Sequence, residues 1–216
     1  MVRGSVTARQ WLISLGLPLV TLFSVAVAKL RFGIPSRLLM GDPAALSSLP
    51  RWAGVVSNLG ILAWAAAASI ATFAAFVTRH EGAGSHFSFL ISSSLFTAYL
   101  LLDDSLMIHE GLAARTGMDE AVLFALLGVV LIAYVLVFRE LIAASRWQML
   151  LAAVLLLAGS VVVDLVAVPF LVGRVLGWGM AEDGMKLLGI AAWLSYLVNT
   201  SYRLVLDALP SRPSGP

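Results

Sequence analysis

The chain has 216 residues, of which 60% are apolar and only 12% are charged, and its formal net charge is +2 at pH 7. A soluble domain of this length carries roughly 25% charged residues and has too small a core for so much apolar surface, so a soluble enzyme and a disordered chain are excluded. The small net charge, with no run of Lys and Arg outside the ends of apolar segments, excludes a nucleic-acid partner, and the absence of cysteine excludes thiolate metal sites. We therefore predict an all-α, polytopic integral membrane protein whose first partner is the lipid bilayer.

Six apolar segments are long enough to cross a hydrocarbon core of roughly 30 Å. They predict a bundle of six transmembrane helices in one domain at 1–209, followed by a disordered, Pro- and Ser-rich tail at 210–216. The predicted helices cover residues 11–28, 52–77, 87–108, 121–138, 147–173 and 185–202. The first helix ends on an Ala-Val-Ala sequence typical of a signal-peptide cleavage site, but its length and the basic residues that follow favour an uncleaved anchor.

Acidic residues are distributed unequally between the two predicted membrane faces. The basic residues divide evenly, so the positive-inside rule does not set the orientation. Most acids lie on the face away from the termini: Asp42, Asp103, Asp104, Glu110, Asp119, Glu120, Asp164, Glu182 and Asp183. We predict a multi-pass protein of the cell (inner or plasma) membrane, with both termini in the cytoplasm and the acidic face outside.

Three of the predicted helices bring acids to the same depth. Asp103 and Asp164 each lie about 26 Å along their helices at 1.5 Å per residue, and the sixth helix begins at that level. Asp103 and Glu110 are seven residues apart, so they fall on nearly one line of the third helix. Ionisable groups at such depth face a bundle interior or a wet cavity. The predicted site comprises Asp103, Asp104, His109, Glu110, Asp164, Glu182 and Asp183.

The residue types at this site favour a hard cation. Carboxylate oxygens suit Mg²⁺, Mn²⁺ or Ca²⁺, or simply protons, whereas zinc catalysis usually takes two or three His ligands and only His109 is available. The Glu-x-x-His spacing of di-iron sites is absent from the sequence. Lys186 stands four residues after Glu182, which predicts an ion pair on one helical face and an internal competitor for a bound cation.

Three functions fit this pattern. The leading expectation is a transporter of a cation or of a proton-coupled small solute, in which the carboxylates are ligands or proton carriers. The alternative is a membrane enzyme whose metal activates water or orients a lipid headgroup, with His109 and Glu110 as catalytic residues and Arg115 or Arg174 near the phosphate. A transporter requires a polar path to the other face, whereas a lipid enzyme requires a lateral opening.

The third reading is a structural or assembly subunit, in which the acids only cap helices or form ion pairs. Thr116, Asp119 and Glu120 resemble a capping arrangement for the fourth helix, and Glu182 and Asp183 would cap the sixth. The second helix offers a small-residue surface through which an oligomer could form by close packing: Ala63, Ala65 to Ala68 and Ser69.

Overall fold

The computed structural model describes residues 20, 22–35, 38, 47, 49–50, 52–167 and 178–209, and these residues contain helices and turns but no strand. The chain divides into two compact units, Met1–Ala53 and Gly54–Pro216. The first unit contains a helix, α1, at residues 22–32, which continues past the predicted end at residue 28 through two basic residues. Residues 11–19 of the predicted first helix and the predicted tail at 210–216 lie outside the described residues.

The second unit contains seven described α-helices. They are α2 (Val55–His80), α3 (Gly84–Leu106), α4 (Ile108–Thr116), α5 (Glu120–Val137), α6 (Arg139–Ala144), α7 (Trp147–Val162), which runs on into a π-helical turn (Val163–Ala167), and α8 (Trp178–Ala208).

Four of the described helices, rather than the predicted six, are long and apolar enough to cross a membrane. They are Val55–His80, Gly84–Leu106, Glu120–Val137 and Trp147–Leu165. The sixth predicted segment lies inside the 31-residue α8, whose charged and hydroxyl-bearing residues make it more polar than the other four. Most of the first segment lies outside the described residues, as do residues 168–173 of the fifth. By length and composition, the chain is therefore suited to association with a membrane.

The third predicted helix, at 87–108, is interrupted at Met107. Met107 has φ 50° and ψ 48°, a left-handed conformation that ends α3 and begins α4. A residue with a side chain rarely adopts this conformation without support from its surroundings. The predicted stripe that joins Asp103 and Glu110 on one helix is therefore wrong, because the break places them on different helices.

The core of the second unit lies between α2, α3 and α8, and α7 packs on the far side of α8. Of the predicted small-residue surface of α2, Ala67 and Ala68 are buried inside the chain, whereas Ser69 is exposed. The oligomer predicted through that surface stays a prediction. The backbones of α7 and α8 approach so closely that a Cβ on Gly189 would lie 2.8 Å from Leu157 Cγ.

Helix α5 is attached to this core chiefly through one aromatic side chain. Tyr134 is its only buried residue, and its hydroxyl lies 2.7 Å from Ser93 Oγ on α3. Ser93 Oγ already donates to the Phe89 carbonyl, so Tyr134 is the donor. The Tyr134 ring stacks on Phe89 and Phe96, with centroid distances of 5.9 and 6.3 Å. Two partly buried residues of α5 also pack against the core, and an open groove lies between the outer parts of α3 and α5.

Candidate functional site

The Asp103 carboxylate holds the helix break at Met107 in place. The backbone N–H of His109 donates to Asp103 Oδ1 at 2.9 Å, and His109 Nδ1 lies 2.8 Å from Asp103 Oδ2. His109 is the second residue of α4, where an N-cap side chain normally accepts this bond. Met107 has no side-chain oxygen to accept it, so Asp103 caps α4 from the end of the preceding helix.

The same contact determines the state of the His109 ring. An ionised carboxylate only accepts hydrogen bonds, so Nδ1 carries a proton in this pair and Nε2 is the nitrogen left to accept a proton or bind a ligand. A carboxylate that accepts a hydrogen bond from one ring nitrogen fixes the orientation of the imidazole. The His109 side chain is 20% exposed, and its ring lies 4.9 Å from that of Phe124. The pair can therefore act as an oriented base or as a single metal ligand.

His109 stands at one end of the groove between α3, α4 and α5. The groove has a volume of about 790 Å³, within the range of small-molecule sites. Its lining is almost entirely apolar, including Leu112, Leu126, Val130 and Tyr134.

Asp104 pairs with Lys186 across the bundle, through its Oδ1 and the Lys186 ammonium. The Asp104 side chain is only 9% exposed, whereas that of Lys186 is 42% exposed. The ion pair predicted for Lys186 with Glu182, four residues earlier on the same helix, does not form, although the Lys186 charge still lowers the pKa of Glu182. The tertiary contact instead gives the buried Asp104 carboxylate a counter-charge.

The first turns of α8, which carry Glu182 and Asp183, lie beside the π-helical turn that carries Asp164. Burial raises the pKa of Glu182, and repulsion from Asp164 and then Asp183 raises it further, while Lys186 lowers it. Because α8 includes Trp178, Glu182 and Asp183 lie inside the helix and do not cap it, contrary to the prediction. Asp183 is exposed, so Glu182 is the residue at which the carboxylates of the two helices come together.

Three other polar residues stand apart from this cluster. The predicted site residue Glu110 is exposed in the first turn of α4 and forms no ion pair with any described residue. Ser105 donates to the Leu101 carbonyl of its own helix. Asp119 caps α5 by accepting the Ala121 N–H at 2.9 Å.

The remaining predicted residues add little to the site. The Thr116 hydroxyl donates back to its own helix, so Asp119 alone supplies the predicted cap of α5. Arg174 lies outside the described residues.

The carboxylates do not converge as a preformed metal site. Among residues 52–167 and 178–209, no three His, Asp or Glu side chains lie close enough together to hold a metal ion. Both oxygens of Asp103 are occupied by His109, and a divalent cation at Asp104 would have to displace Lys186. As they stand, these residues suit a proton better than a hexacoordinate cation, which needs about six oxygen ligands.

Buried hydroxyl groups continue from this cluster toward the other end of the bundle. Thr97 on α3 accepts a 2.9 Å hydrogen bond from Trp193 Nε1 on α8 and donates to the Ser93 carbonyl. Further along, the Tyr196 hydroxyl lies 3.1 Å from Ser145 Oγ. These contacts depend on Trp193 and Tyr196, whose polar atoms become partners only when the helices are packed together.

Two comparisons, one with curated proteins and one with solved structures, each gave no match. Residues 12–200 match the family described as "Domain of unknown function (DUF8692)". The match covers all of α2 to α7 and most of α8, and with them every residue of the candidate site. The chain therefore belongs to the DUF8692 family.

Proposed function

We propose that this chain is a multi-pass protein of the cell membrane that couples a proton or a cation to the movement of a small solute. In this proposal its termini are cytoplasmic and its acidic end faces outward. The coupling site is the ionic cluster formed by Asp104, Lys186, Glu182 and Asp164. The observation that carries the proposal is the ion pair of a 9%-exposed Asp104 with Lys186, beside two mutually repelling carboxylates.

Such a cluster is suited to exchange one positive charge for another. Lys186 neutralises Asp104 in the described state, and a proton or cation that binds the carboxylates competes directly with it. Burial and the nearby Asp164 carboxylate oppose the charge of Glu182 and raise its pKa. Binding of a proton to Glu182 would remove one of the negative charges that Lys186 balances. The exchange therefore links protonation to the contact between α3 and α8.

The buried hydroxyl groups support transport across the bundle. Thr97, Ser93 and Tyr196 lie along α3 and α8 between the acidic end and the opposite end. In an apolar environment such groups are costly unless they are hydrogen-bonded, and each of these makes a bond that crosses to another helix or to a turn. They are the polar continuation that a transporter requires.

The proposal is tested with the full chain in sealed vesicles under an imposed pH gradient. Internal pH is followed with a trapped dye, and uptake of Mn²⁺, Mg²⁺ and Ca²⁺ is measured separately. We expect flux above that of empty vesicles, and a reduction of about tenfold or more in Asp104→Asn and Glu182→Gln. Glu140→Gln removes an exposed acid near the opposite end and serves as the matched control.

The proposal fails if neither protons nor any of the three cations cross the membrane faster than in empty vesicles, and if both variants also melt like wild type from pH 4 to pH 9. The first result alone rejects uncoupled flux. The second removes the linkage between protonation and the α3–α8 contact, on which coupling with any solute depends.

A second candidate function is supported by the groove that ends at His109. The carboxylate-supported imidazole lies beside about 790 Å³ of apolar space, which suits an enzyme that performs acid–base or metal-assisted chemistry on a membrane lipid. This candidate predicts a new lipid product when the protein is incubated with phospholipid vesicles, with and without Mg²⁺ or Mn²⁺. The product should disappear in His109→Gln, and Ser105→Ala is the control. Unchanged lipids under every condition would eliminate it.

A further inference from the structure

A second cavity lies at the end of the bundle opposite the acidic cluster. It has a volume of about 390 Å³ and is bounded by the first turn of α3, the end of α6 and the last turns of α8. Its polar lining residues are His86, Ser145, Thr200, Arg203 and Asp207. Its volume lies within the range of small-ligand sites, and its lining is far more polar than that of the α3–α5 groove.

Two buried polar atoms in this cavity lack a well-formed hydrogen bond within the described part of the chain. They are His86 Nδ1 and Thr200 Oγ1. Thr200 is only 3% exposed. The Tyr196 hydroxyl is close enough to form a weak hydrogen bond with it, although the geometry falls short of a well-formed bond. A buried polar atom without a well-formed hydrogen bond is costly, so a site that retains two of them is suited to a polar occupant.

The charged groups of the cavity indicate which occupant fits. Arg203 makes no ion pair with a carboxylate among the described residues. A guanidinium presents several N–H donors in a planar fork that matches a phosphate. The Ser145 hydroxyl is already engaged, because it donates to the Ile142 carbonyl and lies 3.1 Å from Tyr196. The available donors are therefore those of Arg203, Thr200 and His86.

We infer that this cavity binds a phosphate group, with Arg203 as the bidentate anchor and Thr200 and His86 as further donors. Asp207 lies one helical turn beyond Arg203, and its negative charge repels additional phosphate groups. The cavity therefore favours a phosphate ester over a more highly charged polyphosphate. Two sources supply this chemistry: a phospholipid headgroup that enters from the membrane surface, and free inorganic phosphate. The cavity is separate from the acidic cluster, so the inference is independent of the proposed transport.

The inference is tested by calorimetric titration of the purified full chain in a non-ionic detergent. The probes are inorganic phosphate, a short-chain phosphatidylglycerol, and a short-chain diacylglycerol that lacks the phosphate. We expect at least one phosphate-bearing probe to bind and the diacylglycerol not to bind. Arg203→Gln should weaken binding by about tenfold or more, and Thr200→Val by severalfold, since a charged hydrogen bond contributes more than a neutral one.

Arg139→Gln is the matched control, because Arg139 is an exposed basic residue that begins α6 without lining the cavity. Melting without ligand establishes that each variant is folded. Binding of phosphatidylglycerol alone identifies a lipid headgroup, and binding of inorganic phosphate alone identifies the free ion. The inference is overturned if neither phosphate probe binds, if diacylglycerol binds equally well, or if Arg139→Gln weakens binding as much as Arg203→Gln.

Discussion

Replacing Asp103 with alanine should release the amino terminus of α4. The Asp103 carboxylate accepts both the backbone N–H and the ring N–H of His109, and α4 has little else to stabilise it. The helix has nine residues, and Ala113 is its only buried residue. Isolated helices shorter than about 12 residues are marginal in water. The cap supplied by Asp103 is thus a major part of the stability of α4.

The size of the effect follows from the two bonds that are lost. Removal of an N-cap acceptor costs about 0.5 to 2 kcal/mol, and a charge-assisted hydrogen bond is worth about 1.5 to 3 kcal/mol. Because the two bonds share one carboxylate, we expect about 2 to 4 kcal/mol rather than the full sum. Asp103→Asn keeps an oxygen for the backbone N–H and loses mainly the charge, so it should cost roughly half as much.

Hydrogen exchange of the full chain in detergent measures this local stability directly. A loss of 2 to 4 kcal/mol corresponds to a fall of roughly 30- to 700-fold in the protection of α4 amides, unless α4 becomes fully unprotected first. Ser105→Ala is the control, since its hydroxyl bonds only within α3. If Asp103→Ala leaves exchange over residues 108–116 unchanged, Asp103 does not hold this helix and the reasoning is wrong.

Two further predictions concern α8. Gly189→Ala should lower the unfolding free energy by about 1 to 3 kcal/mol, because its Cβ would meet the Leu157 side chain at 2.8 Å and the Leu157 backbone nitrogen at 3.1 Å. Gly184→Ala, where a Cβ meets nothing within 4 Å, should be neutral or slightly stabilising, and equal melting of the two variants would contradict the close approach. Burial and the nearby Asp164 carboxylate raise the pKa of Glu182, which lies just outside the predicted sixth span, above its ordinary value of 4.5. The folded state therefore binds this proton more tightly than the unfolded state does, so stability should fall as pH rises above 4.5. Glu182→Gln should flatten that decline in a series of melts, and an unaltered slope would exclude Glu182 as its source.

The positions of the apolar helices were accessible from sequence because length and hydropathy determine them. The clearest case is α5, predicted at 121–138 and found at Glu120–Val137, since Asp119 marks its start with a recognisable cap. The break between α3 and α4 was not accessible. Position 107 is a methionine and not the Gly or Pro that usually marks the end of a helix. The break depends on a contact from Asp103 to a residue six positions later.

The members of the candidate site could be chosen from sequence, but their pairing could not. Helical spacing predicts that Lys186 pairs with Glu182, and this is the only information that a single helix offers. The observed partner, Asp104, is 82 positions away. Only the packing of α3 beside α8 brings its carboxylate to Lys186. The phosphate cavity gave still less signal, because its orphaned Thr200 and His86 become conspicuous only when α3, α6 and α8 are assembled.

The length of α8 ties the two polar ends of the molecule to a fixed spacing. Glu182 and Arg203 are 21 positions apart on one helix, which corresponds to about 32 Å at 1.5 Å per residue. That spacing nearly equals the roughly 30 Å hydrocarbon thickness of a typical bilayer. In the membrane-spanning arrangement that we propose, α8 would have to tilt in a thinner bilayer to keep both ends at the headgroups, and a thicker bilayer would draw one end inward. Under that proposal, bilayer thickness changes the hydration of the acidic cluster and of the phosphate cavity together.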